Sequence, residues 1–274
     1  MQESYLIRRE AISLFDAIGC FLYNAVVRGR IPKDMNQHFV ESEKEAYVEG
    51  LFSSIAPKYD LLNSVLSLTR HKAWRRFAVS KSNLKPGDCA LDVCCGTGDF
   101  AFELANRVGE NGRVVGVDFS APMIDLAIRK AEQLHCANAS FIVGNACRLP
   151  FPDNSFDCVT VGFGLRNVAD IDMALTEMSR VVRPGGKVIC LEISKVKSWL
   201  LALPWKLYFY VLTPYTASLL RARRTAYEYL PQSVKEFMSR EELAARFEKC
   251  GLCDVSFYDL TFGVVCVHVG TKPK

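Results

Sequence analysis

Short apolar runs alternate with segments of helical periodicity between residues 89 and 193. The apolar runs predict strands, and the segments between them repeat hydrophobic residues at a spacing that is typical of amphipathic helices. Such alternation builds a mostly parallel sheet with helices on both faces. The predicted strands are 89–94, 113–118, 140–143, 156–161 and 187–193, and the predicted helices are 99–108, 121–134 and 171–182.

The pattern changes toward the C-terminus. A predicted helix at 240–250 stops at Gly251, a residue that favours the left-handed conformation of a helix cap. Two strand-like runs, 254–260 and 264–270, follow with a short gap around Gly263. Because a gap that short suits a hairpin, one of the last strands is expected to run antiparallel. The sequence therefore predicts an α/β fold with a mostly parallel seven-stranded sheet and one antiparallel strand near the C-terminus.

Residues 1–45 are predicted to form an N-terminal amphipathic helical extension to a domain that spans 46–274. Hydrophobic residues between Ile7 and Ala25 recur at helical spacing. Asp16 interrupts the apolar run and no small-residue cleavage site follows, which argues against a signal peptide. The extension could pack on its own domain, on a second copy in a homodimer, or on a membrane surface.

An aromatic and basic insertion is predicted at 198–230. Its first part, 198–220, has the length of a membrane span and carries one charge, at Lys206. Pro204 and Pro214 argue against a straight spanning helix. We interpret the insertion as a lid or lipid-facing segment that gives peripheral membrane contact, with a wall of the substrate pocket or a dimer face as the alternative.

A glycine turn follows the first predicted strand. Gly96 and Gly98 permit a tight turn and the close approach of a ligand to the backbone. Asp118 ends the next strand about twenty residues later, the spacing of a nucleotide site in a parallel sheet. Its carboxylate can accept hydrogen bonds from both hydroxyls of a ribose, so the sequence predicts a nucleotide site here.

Three adenosine ligands compete for this site: a dinucleotide, ATP and S-adenosylmethionine. No G-x-x-x-x-G-K-[ST] motif is present, and Asp99 would repel a pyrophosphate at the N-terminus of its helix. S-adenosylmethionine carries a sulfonium and an ammonium group but no phosphate, which suits Asp92 and Asp99 near the turn. Asn145 and Ala146 follow the third strand, where they could read the adenine edge. These residues favour S-adenosylmethionine.

The composition bears on possible partners, metal sites and the state of the cysteines. The chain has 274 residues, half of them hydrophobic, and a formal net charge of +4, which does not indicate a nucleic-acid partner. Its eleven cysteines lack zinc-site spacing, and Cys250 and Cys253 form a lone CxxC pair. We expect reduced, buried thiols and no metal site in a cytoplasmic protein, which could lie at the inner face of the cytoplasmic membrane.

The chain also resembles the menaquinone/ubiquinone C-methyltransferase family over roughly 46–272. The runs Gly-Phe-Gly-Leu-Arg-Asn-Val at 162–168 and Tyr-Glu-Tyr-Leu at 227–230 are specific to that family. The other matching segments are 52–60, 91–99, 144–146, 149–157, 183–186, 191–194 and 261–265.

The resemblance implies a Rossmann-like class I S-adenosylmethionine-dependent methyltransferase fold. It implies C-methylation of a prenylated quinol, and Gly162 and the Cys94-Cys95 pair resemble the menaquinone-specific members. The expected reaction converts demethylmenaquinol to menaquinol, the last step of menaquinone biosynthesis; a benzoquinol precursor of ubiquinone is the alternative. The family's cofactor contacts correspond to Thr97, Asp118, Asn145 and Ala146, and Gly162 removes one side-chain contact. With the residues of the turn, the predicted cofactor site comprises Asp92, Gly96, Thr97, Gly98, Asp118, Asn145, Ala146 and Gly162.

Five residues are candidates for the chemistry. Arg166 can stabilise a phenolate as a fixed cation, although it could instead pair with an acid such as Asp170. Asn167 can position an oxygen. Tyr59, Asp60 and His268 are candidate proton acceptors, but Asp60 could cap its helix and His268 could be a core residue.

Two further classes stay open at this level. The protein could hold S-adenosylmethionine or a prenyl quinone without turnover, although Asp92, Asp118 and Arg166 are all present. A dehydrogenase is the other alternative, because the turn also satisfies G-x-G-x-x-A, a weak signal when it stands alone.

Overall fold

The computed structural model describes residues 43–195 and 224–274. They belong to one unit, Glu41–Lys274. The predicted extension lies outside the described residues up to position 42, and so does most of the predicted insertion, at 196–223. The first described helix, Glu43–Ile55, crosses the domain boundary predicted at residue 45.

Seven described strands form one sheet. They are β1 Cys89–Val93, β2 Arg113–Asp118, β3 Ala139–Val143, β4 Phe156–Gly162, β5 Val182–Ile193, β6 Cys253–Leu260 and β7 Val265–Thr271. Their order in the sheet is β3-β2-β1-β4-β5-β7-β6. The strand β7 pairs antiparallel with both of its neighbours, and the other pairs are parallel. This confirms the predicted seven-stranded sheet and its antiparallel strand.

The described helices are α1 Glu43–Ile55, α2 Tyr59–Leu66, α3 Arg70–Ser80, α4 Asp99–Val108, α5 Ala121–Gln133, α6 Ile171–Val181, α7 Arg224–Glu236 and α8 Arg240–Lys249. Two of them begin with side-chain caps. Ser239 and Glu242 form a capping box at the start of α8, and Asp170 caps α6 by accepting a hydrogen bond from the backbone N–H of Met173.

The strand β5 begins five residues earlier than the sequence predicts. The Arg-Pro-Gly-Gly run does end the preceding helix, but its residues continue as strand from Val182. Gly185 donates a backbone hydrogen bond to Lys272, and Lys272 donates one to Gly186. The strand therefore extends because residues far along the chain satisfy its backbone groups.

The hydrophobic core lies on both faces of the sheet. Ala90 and Leu91 are consecutive in β1 and fully buried, yet they belong to different core clusters. Ala90 packs in the cluster that contains Phe141, and Leu91 in the cluster that contains Phe156. Burial on both faces explains why the parallel strands read as continuous apolar runs. Within 43–195 and 224–274, no helix combines the length and the hydrophobicity that a membrane span needs.

Candidate active site

A cavity opens at the carboxyl edge of the sheet, where β1 and β4 lie side by side and the strand order reverses. Its empty volume is about 710 Å³, including the part open to solvent, which is within the range of ligand sites. The turns after β1 to β4 supply its floor, and Phe52 and Tyr59 from the N-terminal helical region also line it. Ligands of open α/β sheets bind at this kind of position.

The glycine turn and Asp118 form one end of the cavity. Gly96 and Gly98 adopt positive φ angles of 54° and 86°, which favour glycine. The backbone N–H of Gly96 donates to Oδ2 of Asp118 at 2.8 Å, and that of Ser120 donates to Oδ1 at 2.9 Å. A carboxylate accepts about four hydrogen bonds, so Asp118 retains acceptor capacity for a ligand hydroxyl. Burial raises the pKa of Asp118 to about 6.

Asn145 and Ala146 line the cavity next to a residue that the sequence analysis missed. The Asn145 Nδ2 donates to Oε1 of Glu45 at 3.1 Å, and its Oδ1 accepts from the backbone of Cys147 at 2.8 Å. Glu45 is buried and also lines the cavity. The charged side chains on the described wall are thus Glu45 and Asp118, with no lysine or arginine among them. Such a wall attracts a cationic ligand and repels a phosphate.

The other two acids near the turn have partners within the protein. Asp92 is buried in β1 and accepts from the Thr160 hydroxyl at 2.9 Å; burial raises its pKa to about 7. Asp99 bonds Nη1 of Arg75 at 3.0 Å and Nζ of Lys130 at 2.7 Å. The sequence predicted that Asp92 and Asp99 supply the negative charge near the turn, but the carboxylates on the described cavity wall are those of Glu45 and Asp118.

Two further predicted cofactor residues, Thr97 and Gly98, are not on the cavity wall. The Thr97 hydroxyl donates to Oδ1 of Asp60 at 2.6 Å. A Cβ on Gly98 would lie 2.9 Å from the ring of Phe141, so this glycine permits close packing behind the turn. Gly162 does line the cavity, and a Cβ there would lie 2.7 Å from the Phe100 ring.

Tyr59 and Asn167 line the cavity, and Tyr229 contacts Asn167. Burial raises the pKa of the Tyr59 hydroxyl. The Tyr229 hydroxyl donates to Oδ1 of Asn167 at 3.1 Å, and burial raises its pKa as well. At neutral pH both tyrosines are therefore hydrogen-bonding groups rather than anions.

Arg166 pairs with Glu192 and not with Asp170, the acid that the sequence suggested. Its Nη1 lies 2.6 Å from Oε1 of Glu192, and the two side chains are 6% and 2% exposed. The same nitrogen donates to the carbonyl of Phe163. Asp170 caps α6 instead. Arg166 is absent from the described wall, although its neighbour Asn167 lies on it.

The remaining two candidate proton acceptors make other contacts. His268 lies in β7, 1% exposed, and its Nε2 donates to the carbonyl of Arg240 at 2.9 Å. Burial lowers the pKa of His268, and the rings of Phe247 and Phe257 flank it. Asp60 pairs with Lys130 at 2.6 Å and does not cap its helix, whose N-cap residue is Lys58.

Three residues at the site, Glu45, Phe52 and Tyr229, were not predicted from the sequence. Phe52 and Tyr229 fall in segments of the family resemblance, so the motifs offered a signal for them. Glu45 lies in the segment that was assigned to the N-terminal extension, and no motif indicated it as a site residue. The described cysteines are free thiols, and no described group of His, Cys, Asp and Glu could hold a metal ion.

One protein family and several related proteins match most of the chain. The model of the ubiE/COQ5 methyltransferase family matches residues 40–272. Demethylmenaquinone methyltransferases of Bacillus cereus and Bacillus anthracis are 46% identical over 235 residues, which cover 86% of this chain and 99% of each relative.

Solved structures share the fold at lower identity. A SAM-dependent methyltransferase from Aquifex aeolicus has a TM-score of 0.55 at 18% identity and covers 77% of this chain and 96% of its own. A possible histamine N-methyltransferase from Thermotoga maritima has a TM-score of 0.57 at 22% identity and covers 81% and 98%.

Proposed function

This chain belongs to the ubiE/COQ5 methyltransferase family, and we propose that it methylates a ring carbon of demethylmenaquinol. The chain is a methyltransferase, and its methyl donor is S-adenosyl-L-methionine. The naphthoquinol substrate is supported by the 46% identity to relatives of that activity over almost their whole length. The fold matches more distant methyltransferases and supports the fold class alone.

The residues of the cavity fit S-adenosyl-L-methionine. Two carboxylates, Glu45 and Asp118, carry the charge of the described wall, which suits a ligand with a sulfonium and an ammonium group. Asp118 would hold a ribose hydroxyl with its remaining acceptor capacity. Asn145 and Ala146 would flank the adenine. When bound, the cofactor supplies an electrophilic methyl group.

The chain's own residues must activate and orient the quinol. A phenolic hydroxyl has a pKa near 10, so it is mostly protonated at neutral pH and its ring carbon is a weak nucleophile. Tyr59 and Asn167 line the cavity and would orient the hydroxyl through hydrogen bonds. Arg166, next to Asn167 in sequence, would stabilise the phenolate electrostatically, an effect that its pairing with Glu192 reduces.

The roles of Asp60 and His268 as proton acceptors stay predictions. Asp60 accepts a bond from Thr97 and pairs with Lys130, and His268 lies in the core. Membrane contact through 198–230 and a homodimer also stay predictions, because most of that segment lies outside the described residues. Flotation with anionic liposomes after replacement of Trp199 and Trp205 would test the membrane contact; unchanged flotation would contradict it.

A labelled-methyl assay tests the proposed substrate. The protein is incubated with methyl-labelled S-adenosylmethionine and, separately, reduced demethylmenaquinone or the benzoquinol analogue. The expected result is label in the naphthoquinol, with a large loss in an Asp118→Ala control. Label confined to the benzoquinol would overturn the substrate, and label in neither lipid would support a binding protein without turnover.

A further inference from the structure

One ammonium group joins three elements at the edge of the glycine turn. The Lys130 Nζ, in the last turn of α5, lies 2.6 Å from Oδ2 of Asp60 and 2.7 Å from Oδ1 of Asp99. Asp60 belongs to α2, and Asp99 begins α4 directly after the turn. Lys130 also donates to the Thr97 hydroxyl at 3.3 Å, and that hydroxyl donates to Asp60 at 2.6 Å.

A second set of contacts ties α2 to the same aspartate through α3. The Arg75 Nη1 donates to Oδ2 of Asp99 at 3.0 Å and to Nδ1 of His71 at 2.5 Å. Because Nδ1 accepts, His71 is neutral and carries its proton on Nε2. Burial and the Arg75 charge lower the pKa of His71 to about 4, in agreement with this state. The His71 Nε2 then donates to the Ser64 hydroxyl of α2 at 3.3 Å.

Tyr59 lies next to these contacts. Tyr59 precedes Asp60 and lines the cavity. Its Cε1 is 3.7 Å from the point that a Cβ on Gly96 would occupy. Phe52 packs edge-on against the Tyr59 ring, with 6.2 Å between centroids. The start of α2 is therefore held against the glycine turn, with an aromatic side chain on the cavity wall.

We propose that Lys130 is a positioning residue that latches α2 against the glycine turn and so holds Tyr59 over the cofactor site. The ammonium lies between two carboxylates, Asp60 and Asp99, that would otherwise repel each other across the contact, and Arg75 supplies the second positive charge at Asp99. Asp60 is 44% exposed and Lys130 22% exposed, so solvent partly screens the ion pair between them. The cofactor part of this inference rests on the proposed function; the latch itself does not.

Hydrogen exchange without ligand tests the latch directly. Lys130→Met removes the ammonium, and peptides that cover 52–66 are expected to exchange about threefold to tenfold faster, the effect of losing a small ion-pair network. Arg129→Met is the matched control, because Arg129 is an exposed cation on the same helix whose Nε bonds only the carbonyl of Asp125 among the described contacts. That variant should exchange as the wild type does, and Lys130→Arg should recover part of the protection.

Calorimetry adds a second readout. Lys130→Met is expected to bind S-adenosylmethionine about threefold to tenfold more weakly, and Arg129→Met as tightly as the wild type. Unchanged exchange at 52–66 in Lys130→Met would overturn the latch. If Lys130→Met unfolds, Asp60→Asn provides the same test, and unchanged exchange there has the same meaning. Failure of the wild type to bind the cofactor would contradict the proposed function and leave the exchange result readable.

Discussion

Arg166 and Glu192 form a buried ion pair whose structural and chemical contributions can be separated by substitution. Their charged atoms lie 2.6 Å apart with 6% and 2% of the side chains exposed. Arg166→Met leaves the Glu192 carboxylate buried without its cation, and Glu192→Leu leaves the guanidinium without its anion. Breaking a buried pair by removing one partner costs about 3–5 kcal/mol, because an uncompensated charge remains.

The double variant Arg166→Met/Glu192→Leu removes both charges and is expected to regain part of that loss, because the backbone N–H of Ile193 still loses the Glu192 carboxylate as an acceptor. In a domain of this size each kcal/mol corresponds to about 2–4 °C in melting temperature, so each single variant should melt roughly 6–20 °C below the wild type. Thermal denaturation of the four proteins checks the stability cycle. A single variant within about 1 kcal/mol of the wild type would refute the buried pairing.

The turnover of the double variant separates the catalytic contribution of Arg166 from its contribution to stability. If Arg166 stabilises the phenolate, the double variant should stay at least about tenfold slower in methyl transfer although it is more stable than either single variant. Its affinity for S-adenosylmethionine should equal that of the wild type, because Arg166 does not lie on the described cavity wall. Wild-type turnover in the double variant would remove Arg166 from the reaction.

Three further predictions concern Asp92, Gly162 and Asp118. Burial raises the pKa of Asp92 to about 7. Between about pH 4 and 7 the unfolded chain therefore loses this proton more readily than the folded protein does, and the free energy of unfolding falls as the pH rises. Asp92→Asn should therefore stabilise the protein in urea titrations at pH 8, with a smaller gain at pH 5; no gain at pH 8 would contradict this. Gly162→Ala should cost about 1–3 kcal/mol, because the added Cβ would lie 2.7 Å from buried Phe100; an unchanged melting temperature would refute the clash. Cofactor affinity should fall below about pH 6 as Asp118 is protonated, and calorimetry of Asp118→Asn should show that this dependence is lost; a dependence that persists would assign the proton to another group.

Much of the sheet follows from local pattern alone. The predicted bounds of β2 and α4 coincide with Arg113–Asp118 and Asp99–Val108, because buried parallel strands read as apolar runs and the intervening helix has one apolar face. The early start of β5 could not be predicted in this way. The backbone groups of Gly185 and Gly186 form hydrogen bonds with the backbone of Lys272, which directly follows the C-terminal hairpin.

At the site, the sequence predicts the positions of some residues but not the partners that they contact. Asp118 ends one predicted strand and Asn145 follows another, so the sequence places both at the carboxyl edge of the sheet. The partner of Asn145, Glu45, is 100 residues away, and the partner of Arg166, Glu192, is 26 residues away. Contacts at such separations depend on how helices and strands pack, which the periodicity of a single sequence does not specify.

We expect the acid-lined cavity to accept a cationic sulfonium cofactor whose ribose is held by Asp118. Calorimetry of the wild type and of Asp118→Ala, with S-adenosylmethionine and with NADH, measures this binding. The wild type should bind S-adenosylmethionine saturably, the variant should bind it at least about tenfold more weakly, and NADH should not compete. Tight binding of NADH that excludes S-adenosylmethionine, or equal affinity in the variant, would contradict this expectation.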